Sequence, residues 1–322
     1  MEVKKTKILI AGATGFIGKN MLEYFMHQDT FDVYGVYHMS NPAHDKSVTW
    51  VQADLTRKED VDRVVQGMDI IIHAAATTSG AKEILSKPYY HVTDNAVMSS
   101  LIFRSAYEQG VGRVIFFSCS VMYQPSGLGV KENDFNANQE IFPSYFGVGW
   151  TKVYIEKMCE FYSRISKTQY TVIRHSNIYG PHDKYDLQRS HVFGATLTKV
   201  MTAENNAITV WGDGTEERDL LYISDLVDFV HCVIDTQQSA FEIFNVGYGQ
   251  SISIRNLVAK IIEHSERKLE IIFDISKPTI KTKLFLDCTK AKHELGWFPK
   301  ISLDEGIKCT LAWYRKNILH EV

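Results

Sequence analysis

One short stretch restricts this chain more than any other. Gly12-Ala13-Thr14-Gly15-Phe16-Ile17-Gly18 follows directly on the apolar run KILIA at 7–11 and precedes a segment suited to a helix at 19–27. Glycines permit a tight turn and let backbone N–H groups approach an anion closely, and the helix behind them offers that anion its positive end. Strand, glycine turn and helix in that order open a βαβ unit that holds a dinucleotide pyrophosphate. Thr14, Phe16 and Ile17 lie within this turn, and its spacing is GxxGxxG rather than GxGxxG.

The rest of the first half keeps the same rhythm. Strand-like runs at 33–37, 49–52, 70–74, 114–118 and 170–174 alternate with helix-like segments at 57–67, 95–109 and 151–163. Continuous apolar strands separated by helices predict a parallel sheet covered on both faces. The expected fold is α/β, a Rossmann-type doubly wound sheet of six or seven parallel strands with a smaller C-terminal α/β substrate subdomain. Past Gly180 the segments shorten, and no Gly/Ser/Pro linker divides the halves. The expected division is 1–180 for the NAD(P)-binding domain and 181–322 mainly for substrate, with some C-terminal segments returning to the first unit.

Composition narrows the partners. With 35 Lys and Arg against 38 Asp and Glu, the net charge of −3 gives no field for a nucleic-acid backbone, and none is expected. No run approaches the roughly 18 apolar residues of a membrane span, and the apolar run at 8–11 is too short for a signal-peptide core. The five cysteines are scattered with no Cys-x-x-Cys, so neither a disulfide framework nor zinc is indicated, and a reducing, cytoplasmic compartment is expected. His175, His182 and His191 fall in an irregular segment, and no metal is expected. The second strand ends Tyr37-His38-Met39-Ser40 with neither an acidic residue for a ribose 2′-hydroxyl nor an arginine. His38 and Ser40 suit a 2′-phosphate or are solvated loop residues; NADP is slightly preferred over NAD.

Further motifs carry a family resemblance. They are Ala53-Asp54-Leu55, His73-Ala74-Ala75-Ala76, Asn95, the run Ser118-Cys119-Ser120-Val121-Met122-Tyr123, Lys152, Asn177-Ile178-Tyr179-Gly180-Pro181, and Trp211-Gly212-Asp213-Gly214-Thr215 followed by Arg218. Together with the glycine turn they span almost the whole chain. The chain resembles the extended short-chain dehydrogenase/reductases, the group of nucleotide-sugar epimerases, dehydratases and reductases. The resemblance implies that Asp54 and Leu55 hold an adenine, and that Ala74, Ala75 and Ala76 line the underside of the cofactor. It places Asn95 and Ser118 in the cofactor site and Lys152 at the nicotinamide ribose. Thr77 and Thr78 would touch sugar hydroxyls or cap the next helix, and Asn177 would fix substrate or a structural turn. His73 is a cofactor neighbour or a core histidine.

The segment YGPHDKYDLQRSHV at 179–192 is more specific. It looks like that of the GDP-fucose synthases and related GDP-sugar enzymes, where the histidine matching His191 faces the sugar and the arginine matching Arg218 helps bind the diphosphate. Val192, Trp211 and Lys283 fall in segments that the resemblance assigns to substrate; Lys283 has surface solvation as its alternative. The implied ligand is a nucleoside-diphosphate sugar, GDP-linked in preference to UDP- or dTDP-linked. The implied assembly is a homodimer paired through the helices at 95–109 and 151–163.

The chain departs from the family at its chemistry. The family pair is Tyr-x-x-x-Lys; Lys152 is present, and Val148 stands where the tyrosine belongs. Valine transfers no proton. The partner Ser/Thr position is Cys119, and Val121 stands where GDP-fucose synthases carry an epimerase cysteine. Cys119, Ser120, Tyr123, Tyr145, His191 or a water held by Lys152 remain as replacements. The expected activity is oxidation, reduction or epimerisation around C4 of the sugar. Its alternative is a protein that binds cofactor or sugar nucleotide without turnover, in a regulatory or structural role. Asp225 is expected to cap the helix that follows it.

Overall fold

The computed structural model describes residues 4–40, 42, 45–77, 88–187, 189–277, 279 and 282–320. In chain order the elements of the first half are β1 (Thr6–Ala11), α1 (Phe16–Phe25), β2 (Phe31–Tyr37), β3 (Val48–Gln52), α2 (Lys58–Val65), β4 (Ile70–His73), α3 (Thr93–Gln109), β5 (Arg113–Phe117), α4 (Phe146–Ile165) and β6 (Gln169–His175). The second half runs β7 (Asn177–Tyr179), α5 (Val192–Thr202), β8 (Ala207–Trp211), β9 (Glu217–Tyr222), α6 (Ile223–Thr236), β10 (Phe241–Val246), β11 (Ser251–Ser253), α7 (Ile254–Ser265), β12 (Glu270–Asp274), α8 (Thr289–Leu295) and α9 (Leu303–Asn317).

Seven strands form one sheet in the order β10-β6-β5-β4-β1-β2-β3, every neighbouring pair parallel. The period of two along β1 explains the double covering. Ile8 and Ile10 enter a core with Met21, Leu22 and Phe25 of α1 and Phe229 and Val230 of α6. Leu9 and Ala11 enter the opposite core with Val61 of α2, Phe103 and Ala106 of α3, and Ile155 of α4. The strand order reverses between β1 and β4, which leaves a crevice at their carboxyl ends.

The second half contributes to this sheet and also builds beside it. β10 is its edge strand, and α6 packs on α1. A third core, with Tyr179, Phe193, Leu197, Leu257, Ile261 and Leu311, joins α5, α7 and α9 to the short sheet β11-β9-β7 and the pair β12-β8.

Two differences from the sequence reading bear on the site. Helix α4 begins at Phe146, five residues before the expected 151. Gly147 and Gly149 are poor helix formers, but a Cβ on Gly149 would stand 2.9 Å from Ile141 Cδ1, so tertiary packing selects glycine inside the helix. Val148 and Lys152 therefore share one helix. Asp225 does not cap α6; it lies in the first turn and accepts Lys300 N and Ile301 N, both at 3.1 Å, which ties in the chain ahead of α9.

A buried polar network joins β5, α4, β6 and β10. Ser118 Oγ donates to Glu156 Oε1 at 2.5 Å, and Arg174 pairs with Glu156 at 2.6 Å with both side chains almost fully buried. Arg174 also donates to Tyr123 Oη at 2.8 Å, and Tyr123 donates to Asn245 Oδ1 at 2.7 Å. Truncating Glu156 strands a buried guanidinium. Glu156→Ala should lose about 3–5 kcal/mol in urea unfolding, and Glu156→Gln should lose less.

Asp183, ahead of α5, is a buried carboxylate whose Oδ2 has no hydrogen-bond partner, and burial pushes its pKa up to about 7. A carboxyl raised above its unfolded value contributes stability at low pH that is lost as pH rises through the folded value. Asp183→Asn should therefore raise the melting temperature more at about pH 8 than at about pH 5.

Candidate functional site

The crevice between β1 and β4 is built around glycines. Gly12 has φ +81°, and a Cβ there would lie 2.7 Å from Ala75 Cα and N. A Cβ on Gly18 would lie 2.1 Å from Gly12 O, so α1 rests directly on the turn. Gly15 precedes α1, is exposed, and supplies no side-chain cap. The first-turn N–H groups of α1 thus lack side-chain acceptors beside the crevice. Phe16 and Ile17 turn their side chains into the core.

The crevice is an open cleft of about 440 Å³. Thr14 and Gly15 line one side, and Ala74, Ala75, Ala76 and Thr77 line the floor. His38, Asp54 and Leu55 close the far end. His38 Nε2 lies 4.0 Å from Asp54 Oδ2. Thr56 donates its hydroxyl and its N–H to Asp54 Oδ1, and these bonds hold the Asp54 carboxyl below its ordinary pKa. Asn95 acts through the backbone: its Oδ1 accepts Thr77 N at 2.8 Å, and its Nδ2 donates to Thr77 O at 3.1 Å. A cradle that a Cβ would fill, next to an uncapped helix start, fits a dinucleotide. Thr78 lies outside the described residues.

Lys152 stands at the end of β5, where its Nζ donates to Phe117 O at 2.8 Å and lies 4.6 Å from the Phe116 ring centroid. Burial lowers its pKa, against the opposing pull of Cys119 and Glu156. The charge on Lys152 reaches both His73 and His175, whose pKa values burial depresses to about 3 and about 4. His73 is a neutral core histidine with Nε2 3.1 Å from Ser99 Oγ. Cys119 lies close enough to Lys152 to be pulled toward thiolate, but burial dominates and raises its pKa. Two of the expected groups have their side chains engaged by protein. Ser118 is buried and gives its hydroxyl to Glu156 rather than to the cofactor cleft, because that carboxylate must balance Arg174. Tyr123 is held between Arg174 and Asn245, so its phenol is not available to a substrate.

A second, narrow cavity of about 60 Å³ opens beyond β5 and β6. It brings together Ser120, Val121, Tyr145, Asn177 and Arg218. Asn177 Nδ2 donates to Asp219 O at 3.1 Å. Arg218 Nη1 donates to Thr282 O at 3.0 Å and to Thr282 Oγ1 at 3.1 Å. Glu217, Asp219 and Thr282 share the wall and were not singled out from the sequence. Glu217 and Asp219 begin strand β9, only the later part of which reads as strand-like in sequence, in the run LLYI at 220–223. Asp219 is buried and accepts Tyr248 N, Gly249 N and Leu286 N; burial nevertheless pushes its pKa up to about 6.

Other candidates fall elsewhere. Trp211 is 46% exposed at the end of β8 and lines neither cavity. Val192 packs into the third core. Lys283 pairs with Glu217 at 2.9 Å on the rim. His191 immediately precedes α5 and gives no side-chain cap to it; it lies near enough to His175 to lower that pKa, but outside both cavity linings. Among the described residues no cluster of three or more His, Cys, Asp or Glu could hold a metal ion, and no helix is long and apolar enough to cross a membrane.

Comparison with known proteins gives this geometry its relatives. The model of the NAD dependent epimerase/dehydratase family matches residues 8–247. The GDP-L-colitose synthase of Yersinia pseudotuberculosis is 27% identical over 96% of this chain and 97% of its own length. The GDP-L-fucose synthase of Escherichia coli K12 is 29% identical over 78% of this chain and 81% of its own. In fold, the chain matches the UDP-glucose 4-epimerase of Thermotoga maritima with a TM-score of 0.86, covering 97% of this chain and all of that one at 24% identity. From the glycine turn to β10, the matched span contains the whole parallel sheet, and the chain belongs to the NAD dependent epimerase/dehydratase family.

Proposed function

We propose that this protein is an NAD(P)-dependent enzyme that oxidises, reduces or epimerises a nucleoside-diphosphate sugar around C4, with a GDP-linked sugar preferred. One observation carries the reading: the glycine cleft lies at the ends of β1 and β4, the Tyr145–Arg218 cavity begins just past the end of the neighbouring β5, and Lys152 is bonded to Phe117 O at that same strand end. Relatives named as GDP-sugar synthases align over almost the full length, which supports the GDP preference. A nicotinamide dinucleotide would supply or accept hydride. Gly12, Gly15 and Gly18 would admit its pyrophosphate, Asp54 and Leu55 its adenosine, and Lys152 its ribose. The end of β2 carries His38 and no acidic residue of its own, which supports NADP over NAD, although Asp54 of the next strand end stands 4.0 Å from His38. Arg218 would meet the sugar-nucleotide diphosphate and Asn177 the sugar. The division near residue 180 then separates cofactor from sugar binding, with β10 returning to the sheet. Five free thiols suit a cytoplasmic setting. The alternative of binding without turnover rests on Val148; the unengaged Tyr145 phenol in the second cavity favours turnover.

A homodimer is part of this reading. Tyr154, Phe161 and Ile165 on α4 are all exposed at helical spacing, and α3 adds exposed Val97 and Tyr107. The Tyr107 and Tyr162 rings, 5.8 Å apart, join the two helices into one apolar face. Phe161→Glu should shift the protein from dimer to monomer in light scattering with its melting curve retained.

Calorimetric titration with NADPH, NADH, GDP-L-fucose and UDP-glucose tests the ligands. Heat should appear with the nicotinamide cofactors, NADPH the tighter, and with the GDP sugar in preference to the UDP sugar. Gly15→Glu places a carboxylate at the positive end of α1 and should weaken NADPH by about tenfold or more. No binding of either cofactor by the unaltered protein would overturn the proposal.

A further inference from the structure

Val148 leaves the helix face before Lys152 without a group that can move a proton. Tyr145 occupies that face one turn earlier. Positions 145, 148 and 152 are three and four residues apart, so they follow one line along α4 and its leading turn. The 3₁₀ turn Pro143–Tyr145 fixes that position, with Tyr145 N donating to Phe142 O at 2.7 Å and the two rings 6.0 Å apart. The Tyr145 side chain lines the second cavity with Ser120, Asn177 and Arg218. Among the described residues its hydroxyl makes no hydrogen bond to protein, whereas Tyr123, Ser118 and Lys152 are all engaged.

We infer that Tyr145 is the proton donor of this site, in place of the residue missing at 148, and that it works beside Arg218 rather than beside Lys152. The inference rests on the reading of the chain as a sugar-nucleotide oxidoreductase. In the reductive step the carbonyl carbon of a keto sugar receives hydride, with its electron pair, from a reduced nicotinamide. The C=O π pair moves to oxygen, and that oxygen takes the proton of the Tyr145 hydroxyl. One C–H and one O–H bond form, the sugar is reduced, the nicotinamide is oxidised, and the phenolate recovers a proton from water.

Two groups act on the phenol and two more share its cavity. Arg218 of β9 favours phenolate, the Cys119 thiol after β5 opposes it, and the carboxylates of Glu217 and Asp219 share the cavity wall. Burial against Phe142 and the apolar cluster of Met122, Ile141 and Leu286 prevails and raises the Tyr145 pKa above its ordinary value. Reduction needs the neutral phenol and oxidation needs phenolate, so the two directions must respond oppositely to pH.

The test uses the full chain with NADPH and a GDP-linked 4-keto-6-deoxyhexose. Reductive kcat/KM should stay flat through neutral pH and fall only above about 10, the ordinary tyrosine value. Oxidation of GDP-L-fucose by NADP⁺ should climb about tenfold per pH unit over the same range. Tyr145→Phe should lower both by roughly 10²–10⁴-fold while calorimetric binding of NADPH and GDP stays unchanged. The ultraviolet tyrosinate titration of the unaltered protein, less that of the variant, should show one phenol ionising above the ordinary value. Adding Val148→Tyr to Tyr145→Phe should restore turnover with the pH profile moved to lower pH, because the new phenol adjoins Lys152. Full activity in Tyr145→Phe, or a difference titration at or below the ordinary value, would overturn the role of Tyr145 and leave the proposed function standing. Binding of both ligands with no hydride transfer by the unaltered protein would overturn both.

Discussion

Everything in this molecule is arranged around one close backbone approach. The turn after β1 passes so near Ala74 and Ala75 that no Cβ fits on Gly12, and α1 sits so near the turn that none fits on Gly18. These contacts set the distance between β1 and β4 at the point where the strand order reverses. They also bring an uncapped helix start to the edge of the cleft. A larger residue at either position would have to move a buried strand or a helix packed against it.

The second organising element is charge held out of water. Glu156, Arg174 and Ser118 form a satisfied buried cluster, and Tyr123 and Asn245 extend it to the sheet edge. This cluster lies beneath Lys152, one turn along α4 from Glu156. It uses up polar groups that would otherwise be candidates for proton transfer. The cluster thereby confines the available chemistry to side chains on the cavity wall.

Val148 shows how position and chemistry separate in such a site. The helix, the lysine and the strand ends are all in place, and one side chain on that face cannot transfer a proton. Tyr145 reaches the second cavity because Pro143 begins a short 3₁₀ turn that leads straight into α4. Two glycines in the first turn of that helix let it pack against Ile141 and Val92, which a bulkier residue would block.

The parallel sheet, its double covering and the glycine turn were legible in the sequence, because continuous apolar strands and three spaced glycines have few other structural uses. That His38, Asp54 and Ala74 line the glycine cleft was legible for the same reason: each follows a strand, and strand ends converge in this architecture; Thr77, expected at the sugar, lines that cleft as well. The start of α4, the first residues of β9 and the wall of Glu217, Asp219 and Thr282 were not, since local propensity there favours loop and only tertiary packing overrides it. Nor could sequence show that Ser118 and Tyr123 are consumed by a buried ion-pair network, or that Trp211 and Val192 stand apart from the cavity. Local pattern determined which elements form and in what order. Which polar groups meet, and which are left free to act, was decided by packing, because hydrogen-bond partners in this fold lie tens of residues apart in the chain.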